Sequence, residues 1–213
     1  MADKTLIQAA LDSGTIDECI ALIREVRELV DIIEIGTPQI FRYGTGLVTA
    51  LREAFPSHTL LFDGKIVDAG AEETRIALDA GADIVTVLAA AHDDTIRYAI
   101  GEAHNRDKRI FADMLGVADI AARAEGLLAI GMDIIGLHIA VDVQDGVRGF
   151  DHELVALSGI VPPERIAVAG GVDLGFARKI AAYRPGIVIV GGALRRATDK
   201  RKLLTDIRGA LEG

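Results

Sequence analysis

The chain has 213 residues, half of them apolar, with 23 glycines and no tryptophan. That is enough for one domain with a sizeable core, and too apolar for a disordered chain. A formal net charge of −9 argues against a nucleic-acid partner, and the single cysteine, Cys19, excludes a disulfide framework or a cysteine-rich zinc site.

The opening MADKTLIQAAL lacks the cationic start and apolar run of a secretory signal. No apolar run approaches the roughly 20 residues of a bilayer span, so a cytoplasmic protein without a membrane partner is expected. In chain order, the first strand is expected over 6–11, followed by a helix over 15–29. That helix opens with Thr15-x-x-Glu18, a capping-box spacing, and carries Cys19 as a buried thiol. The next segment, Val30-Asp31-Ile32-Ile33-Glu34-Ile35-Gly36, sets a pattern that recurs in Asp83-Ile84-Val85-Thr86-Val87-Leu88 and Asp133-Ile134-Ile135-Gly136-Leu137-His138. Each begins with Asp and continues in branched aliphatics, and the last two follow a glycine placed to cap a helix, Gly81 and Gly131.

Continuing this way predicts strands over 31–36, 59–62, 83–88, 109–114, 133–139, 165–169 and 186–190. Helices are predicted over 45–54, 70–80, 93–105, 117–130, 150–158, 173–183 and 199–212. The basic group Arg195, Arg196, Lys200, Arg201 and Lys202 reads as a solvated helix end. Eight βα units without hairpin dipeptides or a linker point to one (β/α)₈ TIM barrel of class α/β spanning residues 1–213. An open doubly wound sheet is the alternative.

In such barrels chemistry sits where the strands end, so polar residues there are the candidates. Asp12 follows the first strand and Glu34 lies near the end of the second. Asp63-Gly64-Lys65 follows the third, Asp113 ends the fifth, and His138 ends the sixth with Asp142 beyond. Asp12 and Asp142 also suit turns, and a lone histidine is more often a core residue than a catalyst. Glu34 and Lys65 resist such readings, because a charge within an aliphatic strand needs a partner. Carboxylates converging on one mouth call for a divalent cation, Mg²⁺ or Mn²⁺, bound through hard oxygens. A structural Glu34–Lys65 ion pair competes with that view. Finally, the seventh and eighth strands end alike in Gly170-Gly171 and Gly191-Gly192. Glycines there let backbone amides approach an anion, the usual place for a phosphate in this fold, and need no basic patch.

Asp63-Gly64-Lys65-Ile66-Val67-Asp68 matches the D-x-K-x-x-D motif of the orotidine monophosphate decarboxylase suprafamily. The flanking Ile33-Glu34-Ile35-Gly36-Thr37-Pro38, Thr86-Val87-Leu88, Val168-Ala169-Gly170-Gly171 and Ile189-Val190-Gly191-Gly192-Ala193 make the chain resemble, end to end, the 3-hexulose-6-phosphate synthase family within it. The 3-keto-L-gulonate-6-phosphate decarboxylases are close relatives. They carry H-x-x-R-D where this chain has His138-Ile139-Ala140-Val141-Asp142, Thr-Gly-Gly where it has Ala169-Gly170-Gly171, and a phosphate-binding arginine where it has Gly192. Synthases in turn have glycine where Ala140 stands.

The resemblance implies condensation of formaldehyde with D-ribulose 5-phosphate through a metal-stabilised enediolate. It implies Glu34 and Asp63 as metal ligands and Lys65 as a charge stabiliser. His138 is the candidate base, Asp113 its helper in steering substrate or shuttling the proton, and Asp12 and Asp142 candidate sugar contacts. It also implies a homodimer in which Asp68 reaches the neighbouring active site. The decarboxylase reaction, phosphopentose isomerisation and a non-catalytic sugar-phosphate-binding barrel stay open as alternatives.

Overall fold

The computed structural model describes residues 4–143 and 151–213. Eight parallel strands run in sequence order around a closed barrel: β1 (Leu6–Leu11), β2 (Ile32–Ile35), β3 (Thr59–Ile66), β4 (Ile84–Leu88), β5 (Arg109–Asp113), β6 (Ile134–His138), β7 (Ile166–Ala169) and β8 (Ile187–Val190). Pairing of β8 with β1 closes the ring. The helices between them are α1 (Ile16–Val26), α2 (Thr37–Tyr43), α3 (Gly46–Ala54), α4 (Gly70–Asp79), α5 (Asp93–His104), α6 (Ile120–Ala129), α7 (Asp151–Ser158), α8 (Leu174–Ile180), α9 (Gly192–Arg196) and α10 (Lys200–Glu212). This is the (β/α)₈ barrel expected from the repeat, and a closed ring excludes the open doubly wound sheet.

The recurring Asp has a physical role. Asp31, Asp83 and Asp133 stand just before β2, β4 and β6. Each accepts the backbone N–H of a residue starting the preceding strand: Ile7 at 2.9 Å, Leu60 at 2.9 Å and Ile110 at 2.8 Å. Each carboxylate also has a side-chain partner, Arg208 for Asp31, Arg52 and Lys108 for Asp83, and the His104 ring for Asp133. The same device thus sets the strand stagger at three places on the floor of the barrel. Gly81 and Gly131 take φ of 111° and 93° beyond α4 and α6, and Thr15 and Glu18 form the capping box of α1.

Strand alternation divides the core in two. Outward residues such as Ile33, Val85, Val87, Ile135 and Val188 pack under the helices together with Cys19, which is buried. Inward residues at the lower level, Ile32, Leu61, Ile84, Phe111, Ile134 and Ile187, fill the lumen as a separate apolar plug. Full burial of each such side chain is worth roughly 1.5–3 kcal/mol. At the upper level the inward positions turn polar, and the next subsection begins there.

Two differences from the sequence reading bear on the site. Asp63, Gly64 and Lys65 lie within β3, not after it, because the strand continues past an irregularity to Ile66. Helix α2 was not foreseen: Pro38 sits in its first turn and Gly44 follows it, so its seven residues looked like a loop. The helix expected over 150–158 runs from Asp151, and position 150 lies outside the described residues.

One packing detail is testable by stability alone. Gly136 on β6 faces the Phe111 ring so closely that a Cβ would stand 2.2 Å from ring carbons. Gly136→Ala is therefore expected to destabilise the fold by about 1–3 kcal/mol through overpacking. Adding Phe111→Leu should recover much of the loss, which denaturant melts of the single and double variants would measure.

Candidate active site

Seven inward polar side chains line one open cavity: Gln8, Glu34, Asp63, Lys65, Thr86, Asp113 and His138. They come from β1 to β6, and the apolar plug, with Leu61 and Phe111 at its top, closes the cavity from below. Asp113 and His138 are the last residues of their strands. The chemistry-bearing groups therefore share the carboxyl end of the barrel, as the sequence reading expected.

The hydrogen bonds form a continuous network. Lys65 Nζ bonds Asp63 Oδ2 and stands 3.3 Å from Asp113 Oδ2. His138 Nδ1 lies 2.9 Å from that same Asp113 oxygen, while Asp113 Oδ1 accepts from the Leu115 N–H at 3.0 Å. An ionised carboxylate only accepts, so Nδ1 carries a proton and a neutral His138 presents an unprotonated Nε2. Asp63 takes further bonds from the hydroxyls of Thr37 (2.9 Å) and Thr86 (2.9 Å). Glu34, on the opposite flank, accepts from Gln8 Nε2 at 2.6 Å. The Glu34–Lys65 ion pair weighed from sequence is thus not what forms. Lys65 pairs with Asp63 and Asp113, and Glu34 pairs with Gln8.

Electrostatics follow from this crowding. Burial pushes the Glu34 carboxyl up to about 8, with the Asp63 charge adding to the effect and the Gln8 bond opposing it. Asp12 is also raised, by burial and then by Asp63. It reaches solvent at the mouth, yet β2 and β8 crowd its flanks. A Cβ on Gly36 would lie 2.1 Å from its Oδ1, and one on Gly191 3.1 Å from its Oδ2. Burial alone would lower the Lys65 ammonium, but the charges of Asp63 and Asp113 outweigh it and the pKa rises. Burial would raise Asp113, yet the bond and charge of His138, with Lys65, hold it below the ordinary carboxylate range. Lys65, Asp113 and a protonated Nδ1 thus form a stable charged unit, while burial and the nearby Asp63 charge favour the protonated forms of Glu34 and Asp12.

The glycine loops have more than one reason to be glycine. Gly170 and Gly171 have φ of 98° and 68°. A Cβ at Gly170 would lie 2.6 Å from the Ile139 carbonyl oxygen, so the chain after β6 itself forbids a side chain there. After β8, Gly191 precedes α9, and a Cβ on Gly192 would sit 2.9 Å from Nη1 of Arg196. Arg195, next to it, reaches Ser13 Oγ at 3.2 Å. The sequence reading took these two arginines for a solvated helix end, and both are exposed in the last turn of α9. The fold brings one guanidinium across Gly192 and the other to the β1 loop.

Not every candidate joins the cavity. Asp68 is exposed on the β3–α4 connection, its Oδ1 accepting from the Ala69 N–H at 2.7 Å, and it does not line the pocket of its own chain. Asp142 is exposed on a short turn after β6, directly before 144–150, which lie outside the described residues. Conversely, Gln8, Thr37 and Thr86 hold the carboxylates and were not among the candidates, although Thr37 and Thr86 lie in segments that carry the family resemblance. Among the described residues no three His, Cys, Asp or Glu side chains already converge on one point in ligand geometry. No helix among them is long and apolar enough to cross a membrane.

A parallel barrel with acid, base and ammonium groups at the carboxyl ends of its strands is the architecture of a (β/α)₈-barrel enzyme. The profile of the Orotidine 5'-phosphate decarboxylase / HUMPS family matches residues 5–207, and the chain belongs to that family. It is 40% identical over 203 residues to the 3-hexulose-6-phosphate synthase of Bacillus subtilis (strain 168), covering 95% of this chain and 96% of the relative. The crystal structure of 3-hexulose-6-phosphate synthase from Salmonella typhimurium superposes with a TM-score of 0.93 at 35% identity, over 98% of this chain and 99% of that one. That of 3-keto-L-gulonate-6-phosphate decarboxylase from Vibrio cholerae O1 biovar El Tor gives 0.88 at 28% identity, over 98% of each chain.

Proposed function

We propose that the protein is a carbon–carbon lyase of the 3-hexulose-6-phosphate synthase type, which reversibly condenses formaldehyde with D-ribulose 5-phosphate to a 3-hexulose 6-phosphate. The observation that carries the reading is the chain from Asp63 through Lys65 and Asp113 to His138, which fixes a cation and an oriented base on one side of one cavity. The identity with named synthases over nearly the whole chain supports the substrate pair.

In this reading His138 Nε2 takes a proton from the carbon beside the ketone of the sugar phosphate. The electron pair left behind forms the new bond to the formaldehyde carbon. The proton then returns from Nε2 to the former aldehyde oxygen, so His138 ends each turnover as it began. The Lys65 ammonium lies where negative charge develops on the ketone oxygen, and Asp113 keeps His138 Nδ1 protonated throughout. Asp12 contacts the sugar at the mouth, and Asp142 approaches it from the β6 side. Gly170, Gly171, Gly191 and Gly192 receive the phosphate, with Arg195 and Arg196 adding positive charge.

The residues present fit a divalent cation. Glu34 and Asp63 offer hard carboxylate oxygens, and the buried carbonyl Oε1 of Gln8 beside them has no hydrogen-bond partner among the described residues. Two carboxylates plus water and substrate oxygens suit Mg²⁺ or Mn²⁺. Such a cation, when bound, supplies Lewis acidity at the substrate oxygens.

Without a cation, the pKa of Glu34, raised to about 8, sets how stability depends on pH. The fold keeps a proton that the unfolded chain releases above its ordinary range near pH 4.3. Stability is therefore full below that range and is lost as pH rises towards about 8. Asp12 is shifted the same way, whereas the lowered Asp31, Asp83 and Asp113 make themselves felt only at pH below the ordinary carboxylate range. Cation-free protein is thus expected to melt at a higher temperature near pH 5.5 than near pH 8, and Mg²⁺ should raise the melting temperature more at the higher pH. A melting temperature rising with pH in EDTA would contradict this.

The protein works in the cytoplasm as a homodimer, with Asp68 completing the neighbour's site. Exposed Phe41 on α2, Val67 beside Asp68, Ile76 on α4 and Tyr98 on α5 supply an apolar face on consecutive units. Inactive Lys65→Ala chains mixed and refolded with Asp68→Ala chains should regain turnover, since hybrid dimers contain one intact site. No recovery would place Asp68 elsewhere.

The test of the reaction itself is direct. Protein with Mg²⁺, ribulose 5-phosphate and formaldehyde should consume formaldehyde, and EDTA should stop it. Faster release of CO₂ from 3-keto-L-gulonate 6-phosphate would decide for the decarboxylase instead.

A further inference from the structure

β3 and β4 pair regularly up to Phe62↔Val85 and resume at Ile66↔Val87. Between these points three residues of β3, Asp63, Gly64 and Lys65, face a single residue of β4, Thr86. Two extra residues preserve the in–out alternation, so Phe62 and Ile66 both stay in the outer core while Asp63 and Lys65 both point inward. The bulge thus places two functional side chains where a regular ladder would offer one. It is strained: Lys65 has φ of 46°, in the left-handed region that side chains disfavour. A Cβ on Gly64 would come within 2.8 Å of the Phe62 ring, which explains the glycine between them.

Within this gap the ladder bonds are replaced by one hydroxyl. The Lys65 N–H donates to Thr86 Oγ1 at 2.9 Å, and Thr86 Oγ1 lies 2.9 Å from Asp63 Oδ1. Because the oxygen already accepts from Lys65, its own proton is directed to Asp63. Thr86 is 2% exposed, and its hydroxyl makes both of these bonds itself. From this geometry we infer that Thr86 is a positioning residue: its hydroxyl closes the bulge and fixes the spacing of the Asp63 carboxylate and the Lys65 ammonium. The inference rests on the proposed roles of Asp63 and Lys65, and touches neither substrate nor cation itself.

Three measurements on wild-type, Thr86→Val and Thr86→Ser protein test it. Valine keeps the shape and removes the hydroxyl, whereas serine keeps the hydroxyl and removes the methyl. Thr86→Val should lower kcat about 10²-fold, the usual cost of a misplaced catalytic group, with KM for ribulose 5-phosphate changing far less. It should weaken Mn²⁺ binding, read by calorimetry, about tenfold, as loss of a partner behind a metal ligand does. It should also speed hydrogen exchange of the Lys65 amide. Thr86→Ser should recover most of each loss. Valine with wild-type kcat, affinity and exchange would overturn the inference, and so would equal losses in valine and serine, which would make packing of the methyl the cause. Should Thr86→Val fail to fold, Thr86→Ala takes its place in the comparison with serine. If the wild type shows no formaldehyde condensation, the proposed reaction falls, while amide exchange still decides the role of Thr86.

Discussion

Lys65→Ala is expected to remove turnover, lowering kcat by about 10³-fold or more, a loss of the order seen when a single group stabilising developing charge is deleted. The ammonium bonds Asp63 and stands 3.3 Å from Asp113, and together these carboxylates raise its pKa despite burial. It therefore stays charged throughout the neutral range and needs no reorganisation when negative charge appears on the substrate. Alanine leaves Asp63 and Asp113 facing each other across the vacated space, which costs stability, although the groups are not fully sequestered from water. The chain should remain folded, because the bulge that carries residue 65 is held through its backbone N–H and Thr86, which alanine retains. One further readout separates this role from general damage to the site. With a competing positive charge gone, Mn²⁺ should bind at least as tightly to Lys65→Ala as to the wild type. Full activity in the variant would remove Lys65 from the mechanism, and lost cation binding would mean that the site had collapsed.

The barrel was legible because its signals are local and repeated. Asp31, Asp83 and Asp133 each open an aliphatic run, and all three do the same work at the strand starts. Gly81 and Gly131 end helices in the only backbone region that explains a glycine there. The charged candidates were also legible, since Glu34, Asp63, Lys65, Asp113 and His138 stand within or at the ends of runs that are otherwise aliphatic after their first residue.

What escaped notice depends on pairing between strands. Asp63-Gly64-Lys65 looks like the end of a strand, because Asp-Gly is good turn chemistry. Only the register against β4 shows that the strand continues. Thr86 in Ile84-Val85-Thr86-Val87-Leu88 and Gln8 in Leu6-Ile7-Gln8-Ala9-Ala10-Leu11 read as ordinary strand residues. Their importance comes from the carboxylates that β2 and β3 place beside them. Arg195 and Arg196 belong to a group of five basic residues spread over 195–202, and only the fold shows Arg195 beside Ser13 of the β1 loop. In each case composition gave the ordinary reading, and the fold supplied the neighbour that changes it.

Asp113→Asn should lower kcat by about 10³-fold while changing the unfolding midpoint far less, as loss of the carboxylate behind a catalytic histidine does elsewhere. Every neighbour of this side chain is a donor. Oδ2 receives His138 Nδ1 at 2.9 Å and faces Lys65 Nζ at 3.3 Å, while Oδ1 receives the Leu115 N–H at 3.0 Å. Asparagine is nearly isosteric but has one acceptor and one donor end. With its NH₂ towards His138, the imidazole must accept at Nδ1 and carry its proton on Nε2, where it can no longer act as a base, and Lys65 meets a donor. With its NH₂ towards Leu115, two N–H groups oppose each other and neither His138 nor Lys65 faces a full negative charge. Either orientation breaks the unit of ammonium, carboxylate and imidazole, so the variant should not be rescued by added Mg²⁺ or by saturating ribulose 5-phosphate. A kcat within a few-fold of wild type would show that His138 does not take its orientation from Asp113 and that the base must be sought elsewhere in the cavity.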